Sequence, residues 1–222
     1  MEKVVAVILM AGLSLRFGDK TNKQLCLLNG KPIFSYSIDE LSKHKSISKL
    51  ILVVNSKNEN SIKKYAKSLG IPADFVLGGK TRQESVEHAL ANINKENFDI
   101  VLIHDGARPL IEKEQIDSVI KAAKQYGAAT TCIKTIDTIA AVNDDNCIKN
   151  FIDRESAVQI QTPQCFKLDV LKRAHENAKN LEATDDCSLV LANNEKVKLV
   201  EGSKKLHKVT TKEDLFILES LL

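Results

Sequence analysis

Asp105 and Arg108 lie three residues apart in the stretch His104-Asp105-Gly106-Ala107-Arg108-Pro109, directly after the apolar run Ile100-Val101-Leu102-Ile103. A carboxylate at the carboxyl end of a strand can hold a divalent cation, and a guanidinium beside it can hold an anion through paired hydrogen bonds. The small residues between them let a ligand approach the backbone. A tight turn with a surface ion pair would use the same residues, so this stretch needs company. It has some. Met10-Ala11-Gly12-Leu13-Ser14-Leu15-Arg16-Phe17-Gly18 follows another apolar run, and Lys20 and Lys23 come next. Small-residue loops after strands are where backbone N–H groups cradle phosphates, and flanking cations suit a polyphosphate better than a plain turn. Two familiar phosphate templates fail. Counting from Gly12, Phe17 occupies the second glycine position of a Walker A loop, while Ser14 and Phe17 stand at the later glycine positions of a dinucleotide fingerprint. A third loop, Gly78-Gly79-Lys80, precedes Thr81-Arg82-Gln83-Glu84; alone it could equally be a simple strand-to-helix turn.

The elements that must position these loops alternate. Strands are expected at Val4–Leu9, 49–54, 75–77, 98–104 and 128–134, the run ending at Ile103 or His104 being central. Between them, helices are expected from Pro32 to Lys43, from the capping pattern Ser56-Lys57-Asn58-Glu59 to Leu69, from Thr81 onward, and from Glu112 to Tyr126. Strand–helix alternation argues for a mostly parallel sheet with helices on both faces. In such sheets ligands bind beyond the carboxyl ends of the strands. From Thr135 to Gln161 the pattern changes to a hairpin: Ile136, Thr138, Ile139, Ala141 and Val142, a turn at Asn143-Asp144-Asp145-Asn146, then Ile148 to Ile152. It reads as an arm projecting from the sheet. Gln161-Thr162-Pro163-Gln164 returns the chain to the body. Helices at 167–179 and after Thr184-Asp185-Asp186-Cys187, a strand at 197–200 and a helix capped by Thr211 complete the reading.

Composition narrows the class. The chain has 222 residues with a net charge of +3, too small a positive excess to argue for a nucleic-acid surface. The longest apolar run, Val4 to Ala11, is far short of a membrane span, and no signal peptide is read before it, so a cytoplasmic protein is expected. The five cysteines form neither a CxxC pair nor a cluster with histidine; Cys26, Cys132 and Cys165 read as small core groups.

Taken together, the motifs resemble the cytidylyltransferases of the nucleotidyltransferase family, over nearly the whole chain, Val4 to Leu215. The markers are Ala11-Gly12 to Gly18 with Arg16, Lys23-Gln24, Gly78-Gly79 with Arg82 and Ser85, and His104 to Pro109. After them come Asp137-Thr138, Asp153-Arg154, Thr162-Pro163-Gln164, Thr184-Asp185, Glu201-Gly202 and Lys208-Val209-Thr210. Within the family the match is nearest to the branch that takes a methylerythritol phosphate. The resemblance implies an α/β, Rossmann-like single nucleotidyltransferase domain over 1–222. It implies a reaction in which the polyol phosphate attacks the α-phosphorus of CTP and pyrophosphate leaves. Arg16 and Lys23 would be catalytic, and the Ala11, Gly12 and Ser14 loop would cradle phosphates. Gly79, Lys80 and Ser85 would hold cytosine and ribose, with Asp105 and Gly106 also at the nucleotide. Asp105 would hold Mg²⁺. Arg108, Thr138, Arg154, Thr162 and Lys208 would fix the polyol phosphate. A homodimer through the arm at about 135–161 is implied, with Thr138 and Arg154 acting on the partner's site.

The chain departs from the family pattern at four places. Leu9-Met10 precede the glycine loop where small residues are usual, Ser14 replaces a glycine, and Asn22 replaces a proline before Lys23. Ser203-Lys204-Lys205-Leu206-His207 lacks an acid that the family often places near the metal. Two alternatives share the fold: a ribitol-5-phosphate cytidylyltransferase, and a non-catalytic nucleotide-binding protein suggested by the missing acid.

Overall fold

In a computed structural model, residues 2–12, 17, 22–178 and 183–222 are described. The first strand, β1 (Val4–Leu9), alternates its side chains between two cores. Val4, Ala6 and Ile8 face one, and Val5 and Val7 the other. That is what a strand buried on both faces requires. After the short pair β2 (Leu27–Leu28) and β3 (Lys31–Pro32) come α1 (Ile33–Lys43), β4 (Ile47–Val54), α2 (Glu59–Ser68), β5 (Ala73–Leu77) and α3 (Arg82–Ala91). Then follow β6 (Ile100–Asp105), α4 (Lys113–Tyr126), β7 (Ala128–Lys134), β8 (Ile139–Val142), β9 (Ile148–Ile152) and β10 (Val158–Lys167). The chain closes with α5 (Leu168–Asn177), α6 (Asp186–Ala192), β11 (Lys198–Glu201) and α7 (Glu213–Glu219).

The main sheet has seven strands in the order β11-β7-β10-β6-β1-β4-β5. Every neighbouring pair is parallel except the two made by β10, so the mostly parallel sheet is borne out, with β6 at its centre. Helices α1, α2 and α4 pack on one face, through Phe34, Ile38, Leu41, Ile62, Ile116 and Val119. Helices α3, α5 and α6 cover the other, through Val86, Leu90, Leu171, Ala174, Leu189 and Val190. From β1 the chain proceeds outward to β4 and β5, then crosses to β6 on β1's other side. The switch point therefore lies where Leu9 pairs with Asp105, and a crevice opens there.

Several expectations are corrected. The return at 161–164, to which the sequence reading gave no element, lies inside β10, a ten-residue antiparallel strand. A proline argues against a central strand, yet Pro163 sits where the register shifts between Ile160 and Gln164. Each buried polar side chain there makes a tertiary hydrogen bond, although Gln164 Oε1 is left without a partner among the described residues. Gln161 exchanges hydrogen bonds with Ser203, Thr162 accepts from the Asp105 N–H, and Gln164 donates to Asp185. The arm is accordingly shorter than 135–161, because Val158 already pairs with Lys134. Ser56 does not cap α2. Asn58 stands there with its amide turned inward, accepting from the Asn55 N–H at 2.9 Å and donating to the Met10 carbonyl at 2.8 Å. Nor does Thr211 cap α7: Lys212 is the N-cap residue, and Asp214 accepts the Thr210 and Thr211 N–H groups at 2.6 and 2.8 Å. Cys165 is a core group, but Cys26 and Cys132 are only half-buried.

Candidate active site

Two cavities open side by side at the switch point. One, of about 840 Å³, is lined by the ends of β1, β4 and β5 and the start of α3; Ala11, Gly12, Lys23, Gly79, Lys80 and Ser85 stand in its wall. The other, of about 630 Å³, is lined by Arg108, Thr130, Gln161, Thr162, Asp185 and Cys187, with Ile160, Leu191, Val197 and Leu199 on its apolar side. Among the described residues, Arg82, Asp105 and Lys208 line both.

The first cavity is framed by loops that fit only with small residues. A Cβ on Gly78 would lie 2.3 Å from the Ala11 Cβ and 2.9 Å from the Ser85 hydroxyl. Ser85 Oγ accepts from the Gly79 N–H at 3.1 Å and donates to the Thr81 carbonyl at 2.9 Å, tying this loop to α3. The capping box expected at Thr81 and Glu84 is present. Beneath the first glycine loop, Asn55 donates to the Ala11 carbonyl at 2.9 Å and Asn58 to that of Met10 at 2.8 Å. The sequence reading missed these two asparagines; their only local signal is their place just after a strand. Lys23 begins a 3-10 turn whose N-cap is Asn22, the residue standing in place of the family's proline; its side chain accepts from the Gln24 N–H at 3.0 Å. Lys23 Nζ donates to the Val209 carbonyl at 2.9 Å. Arg16 and Ser14 lie outside the described residues.

On the shared wall, Asp105 gathers three cations. Lys208 Nζ lies 2.6 Å from Oδ2, Arg82 Nε 3.5 Å from Oδ1 and Arg108 Nε 3.8 Å from Oδ2. Burial would raise the Asp105 pKa, but Lys208, Arg82 and Arg108 outweigh it and hold the carboxyl well below the usual carboxylate range. Arg82, a family marker to which the sequence reading gave no role, also reaches the buried Asp186, Nη1 to Oδ2 at 2.7 Å. Arg108 Nη1 donates to the Leu206 carbonyl at 2.6 Å.

Behind Asp105 runs a closed chain of hydrogen bonds. The Asp105 N–H donates to Thr162 Oγ1 at 3.0 Å; Thr162 meets His104 Nδ1 at 3.2 Å; His104 Nε2 meets the Arg108 carbonyl at 3.0 Å. A neutral imidazole protonated on Nε2 satisfies every member: Thr162 donates to Nδ1, and Nε2–H donates to the carbonyl. Burial pushes the His104 pKa down to about 4. An unfolded histidine titrates near 6.5. Between those values the unfolded chain binds a proton that the native state refuses, so this contribution is complete above about pH 6.5. It is lost as pH falls toward 4, by roughly 3 kcal/mol in all. Urea unfolding from pH 7 to pH 5 should show the decline, and His104→Asn should flatten it; an unchanged slope in the variant would place the effect elsewhere.

Two positions singled out in the sequence stand away from the cavities. Gly106 lines neither cavity; a Cβ there would lie 2.5 Å from Met10 Cγ, so packing alone requires a glycine at this position. Lys205, where the family's acid would stand, bonds Glu112 Oε1 at 2.7 Å and also lies outside both cavities. Thr138 and Arg154 are exposed on the arm, away from both cavities of their own chain. The arm pairs β8 only with β9 and exposes Ile136, Val142, Ile148, Phe151 and Ile152. No helix among the described residues is long and apolar enough to cross a membrane.

A family model described as "IspD: 2-C-methyl-D-erythritol 4-phosphate cytidylyltransferase" matches residues 4–222. A 2-C-methyl-D-erythritol 4-phosphate cytidylyltransferase of Clostridium novyi is 42% identical, covering 100% of this chain and 97% of the relative. Among solved structures, 4-diphosphocytidyl-2C-methyl-D-erythritol synthase of Anaerococcus prevotii superposes with a TM-score of 0.87 at 28% identity, over 99% of this chain and 98% of that one. The 2-C-methyl-D-erythritol 4-phosphate cytidylyltransferase of Thermus thermophilus gives 0.80 at 30% identity, over 100% and 98%.

Proposed function

Because the chain belongs to the 2-C-methyl-D-erythritol 4-phosphate cytidylyltransferase family, a nucleotidyltransferase joining CTP to that polyol phosphate in isoprenoid synthesis, we propose how its two cavities divide the work. The cavity under the glycine loops takes CTP, and the cavity beside Arg108 and Thr162 takes the polyol phosphate. The observation that carries this is the shared wall of Arg82, Asp105 and Lys208, where two phosphates from opposite sides would meet. A phosphate oxygen attacks the α-phosphorus in line, and the bond from that phosphorus to the oxygen bridging to the β-phosphate breaks. Phosphate is already a competent nucleophile, so positioning and charge neutralisation supply most of the rate. Lys23, with Arg16, neutralises charge on the triphosphate. The Gly79 N–H is given to Ser85 and the Lys80 N–H to Glu84. What these residues offer a base edge is therefore their carbonyl oxygens, acceptors for an exocyclic amine. Arg108 and Lys208 hold the polyol phosphate, and Thr162, its hydroxyl engaged by His104 and the Asp105 N–H, shapes the wall beside them. Pyrophosphate release from CTP should require 2-C-methyl-D-erythritol 4-phosphate; release with ribitol 5-phosphate instead would favour the other polyol.

The donor set on the wall fits Mg²⁺ as a co-ligand. Asp105 supplies one hard carboxylate oxygen at the cavity surface, and no group of three His, Cys, Asp or Glu side chains forms a protein cage among the described residues. Mg²⁺ is commonly held by one or two carboxylates with phosphates and water. Bound there, it would neutralise and orient phosphate oxygens. Asp105→Asn should raise the Mg²⁺ concentration needed for half-maximal rate; an unchanged titration would leave Asp105 only as the counter-ion of Lys208, Arg82 and Arg108.

The arm is read as a dimer contact. A two-stranded hairpin is marginal in water by itself, and an exposed apolar face of this kind marks an interface. Two copies related by a two-fold axis close that interface, with Thr138 and Arg154 reaching the partner's polyol phosphate. A cytoplasmic location accords with the biosynthetic reaction.

A further inference from the structure

We propose that Arg82 is a catalytic residue that binds the phosphoryl group as it passes between the two cavities, and that Asp186 and His175 are the positioning residues that aim it. The inference rests on the assignment of the cavities to CTP and the polyol phosphate. In that arrangement the attacking and departing oxygens lie on opposite sides of one phosphorus, so the group in transit is at the shared wall. Two cations stand there, Lys208 and Arg82. Lys208 is taken up with the polyol phosphate; Arg82 lines both cavities there and has a donor to spare. Its Nε sees Asp105 only at 3.5 Å, and its Nη2 is buried with no hydrogen-bond partner among the described residues. An unpaired buried donor is costly, and equatorial oxygens of a transferring phosphoryl group are acceptors that a guanidinium fork matches.

The aim of that fork is set from behind. Arg82 opens α3, and its Nη1 is held at 2.7 Å by Asp186, whose side chain is 1% exposed. The other Asp186 oxygen meets His175 Nε2 at 3.0 Å, and the His175 side chain is 4% exposed. Asp186 opens α6 and His175 lies near the end of α5, so three helices on one face of the sheet fix a single guanidinium. Asp186 and His175 line neither cavity, so loss of their hold on Arg82 should leave CTP binding intact.

The test is steady-state pyrophosphate release together with direct titration of CTP. Arg82→Lys keeps the charge and loses the fork; kcat should fall at least 30-fold while the CTP dissociation constant stays within threefold. His175→Gln, a milder change that answers the same question if Arg82→Lys does not fold, should lower kcat about fivefold with the same split. Thermal midpoints of both variants are measured, and assays run well below them. Lower midpoints with kcat within twofold of the parent would make the chain merely structural and overturn the proposal. Equal loss of kcat and CTP affinity would overturn it too, placing Arg82 in ground-state nucleotide binding. Failure of the cavity assignment is separable: it would show in the parent protein, as pyrophosphate release independent of the polyol phosphate.

Discussion

Lys23→Ala should lower kcat by two orders of magnitude or more and leave the thermal midpoint close to that of the parent. The departing pyrophosphate gathers negative charge, and a cation already in place stabilises that charge without reorganising at the moment of reaction. Lys23 is pre-placed in two ways. It begins a 3-10 turn capped by the Asn22 side chain, and its ammonium is steered by the Val209 carbonyl at 2.9 Å. One preorganised donor in such a site contributes about 3 kcal/mol to the transition state, which is a factor of 10² or more in rate. The lysine is only half-buried, so truncation opens no core cavity and stability should hardly change. CTP affinity, titrated separately, should weaken far less than kcat. Arg16→Ala should behave likewise on the sequence reading alone. Near-normal turnover in both variants would remove the proposed roles of this loop.

Mixing inactive chains should restore activity. Arg154→Ala removes the arm's arginine and Lys23→Ala the loop's lysine, so in the proposed dimer each homodimer would have two defective sites. If the arm serves the partner, a heterodimer places both lesions in one site and neither in the other. About half of the parent's activity per heterodimer should then return. The structural ground is that Arg154 is exposed, its nearest charged partner being the adjacent Glu155 at 3.7 Å, and lies outside both cavities of its own chain. A residue proposed to fix substrate must reach some site, and the exposed face with Ile136, Phe151 and Ile152 supplies the contact that would carry it there. No recovery in a sample shown by native mass spectrometry to contain heterodimers would refute sharing. A monomer by light scattering would remove the arm from the reaction altogether.

Most of the frame was legible because its signals are local. Buried parallel strands announce themselves as continuous apolar runs, and β1, β6 and β7 lie within a residue or two of where those runs stand. Thr81 and Glu84 form the capping box their spacing implies, and Asp185 caps α6 by accepting from the Cys187 N–H. The hairpin appears at Ile139–Val142 and Ile148–Ile152, because alternation and an Asn/Asp turn specify it without help from the rest of the chain. What misled was also local. Ser56 and Glu59 have the spacing of a cap, but Asn58 competes for the position and is drawn inward by the Met10 carbonyl, a partner 48 residues away.

The sequence by itself determined the alternation of strand and helix, the loops that end the strands, and the types of residue those loops carry. Each depends on residues within a turn or two of one another, where propensity and spacing act. Only the tertiary structure decided that β10 enters antiparallel between β7 and β6. That insertion brings Thr162 to the Asp105 N–H, and Gln161 and Gln164 to their partners, so a stretch too polar to read as a core strand becomes one. It likewise decided that Asp105 is surrounded by cations drawn from residues 82, 108 and 208, and that Arg82 connects it to a buried Asp186. Arg108, three residues away, was legible beside Asp105, but Arg82 and Lys208 lie too far along the chain to carry any mutual signal with it. Their pairing is enforced by burial, because a buried carboxylate without a cation costs several kcal/mol, and burial is a property of the packed sheet and helices rather than of any one segment.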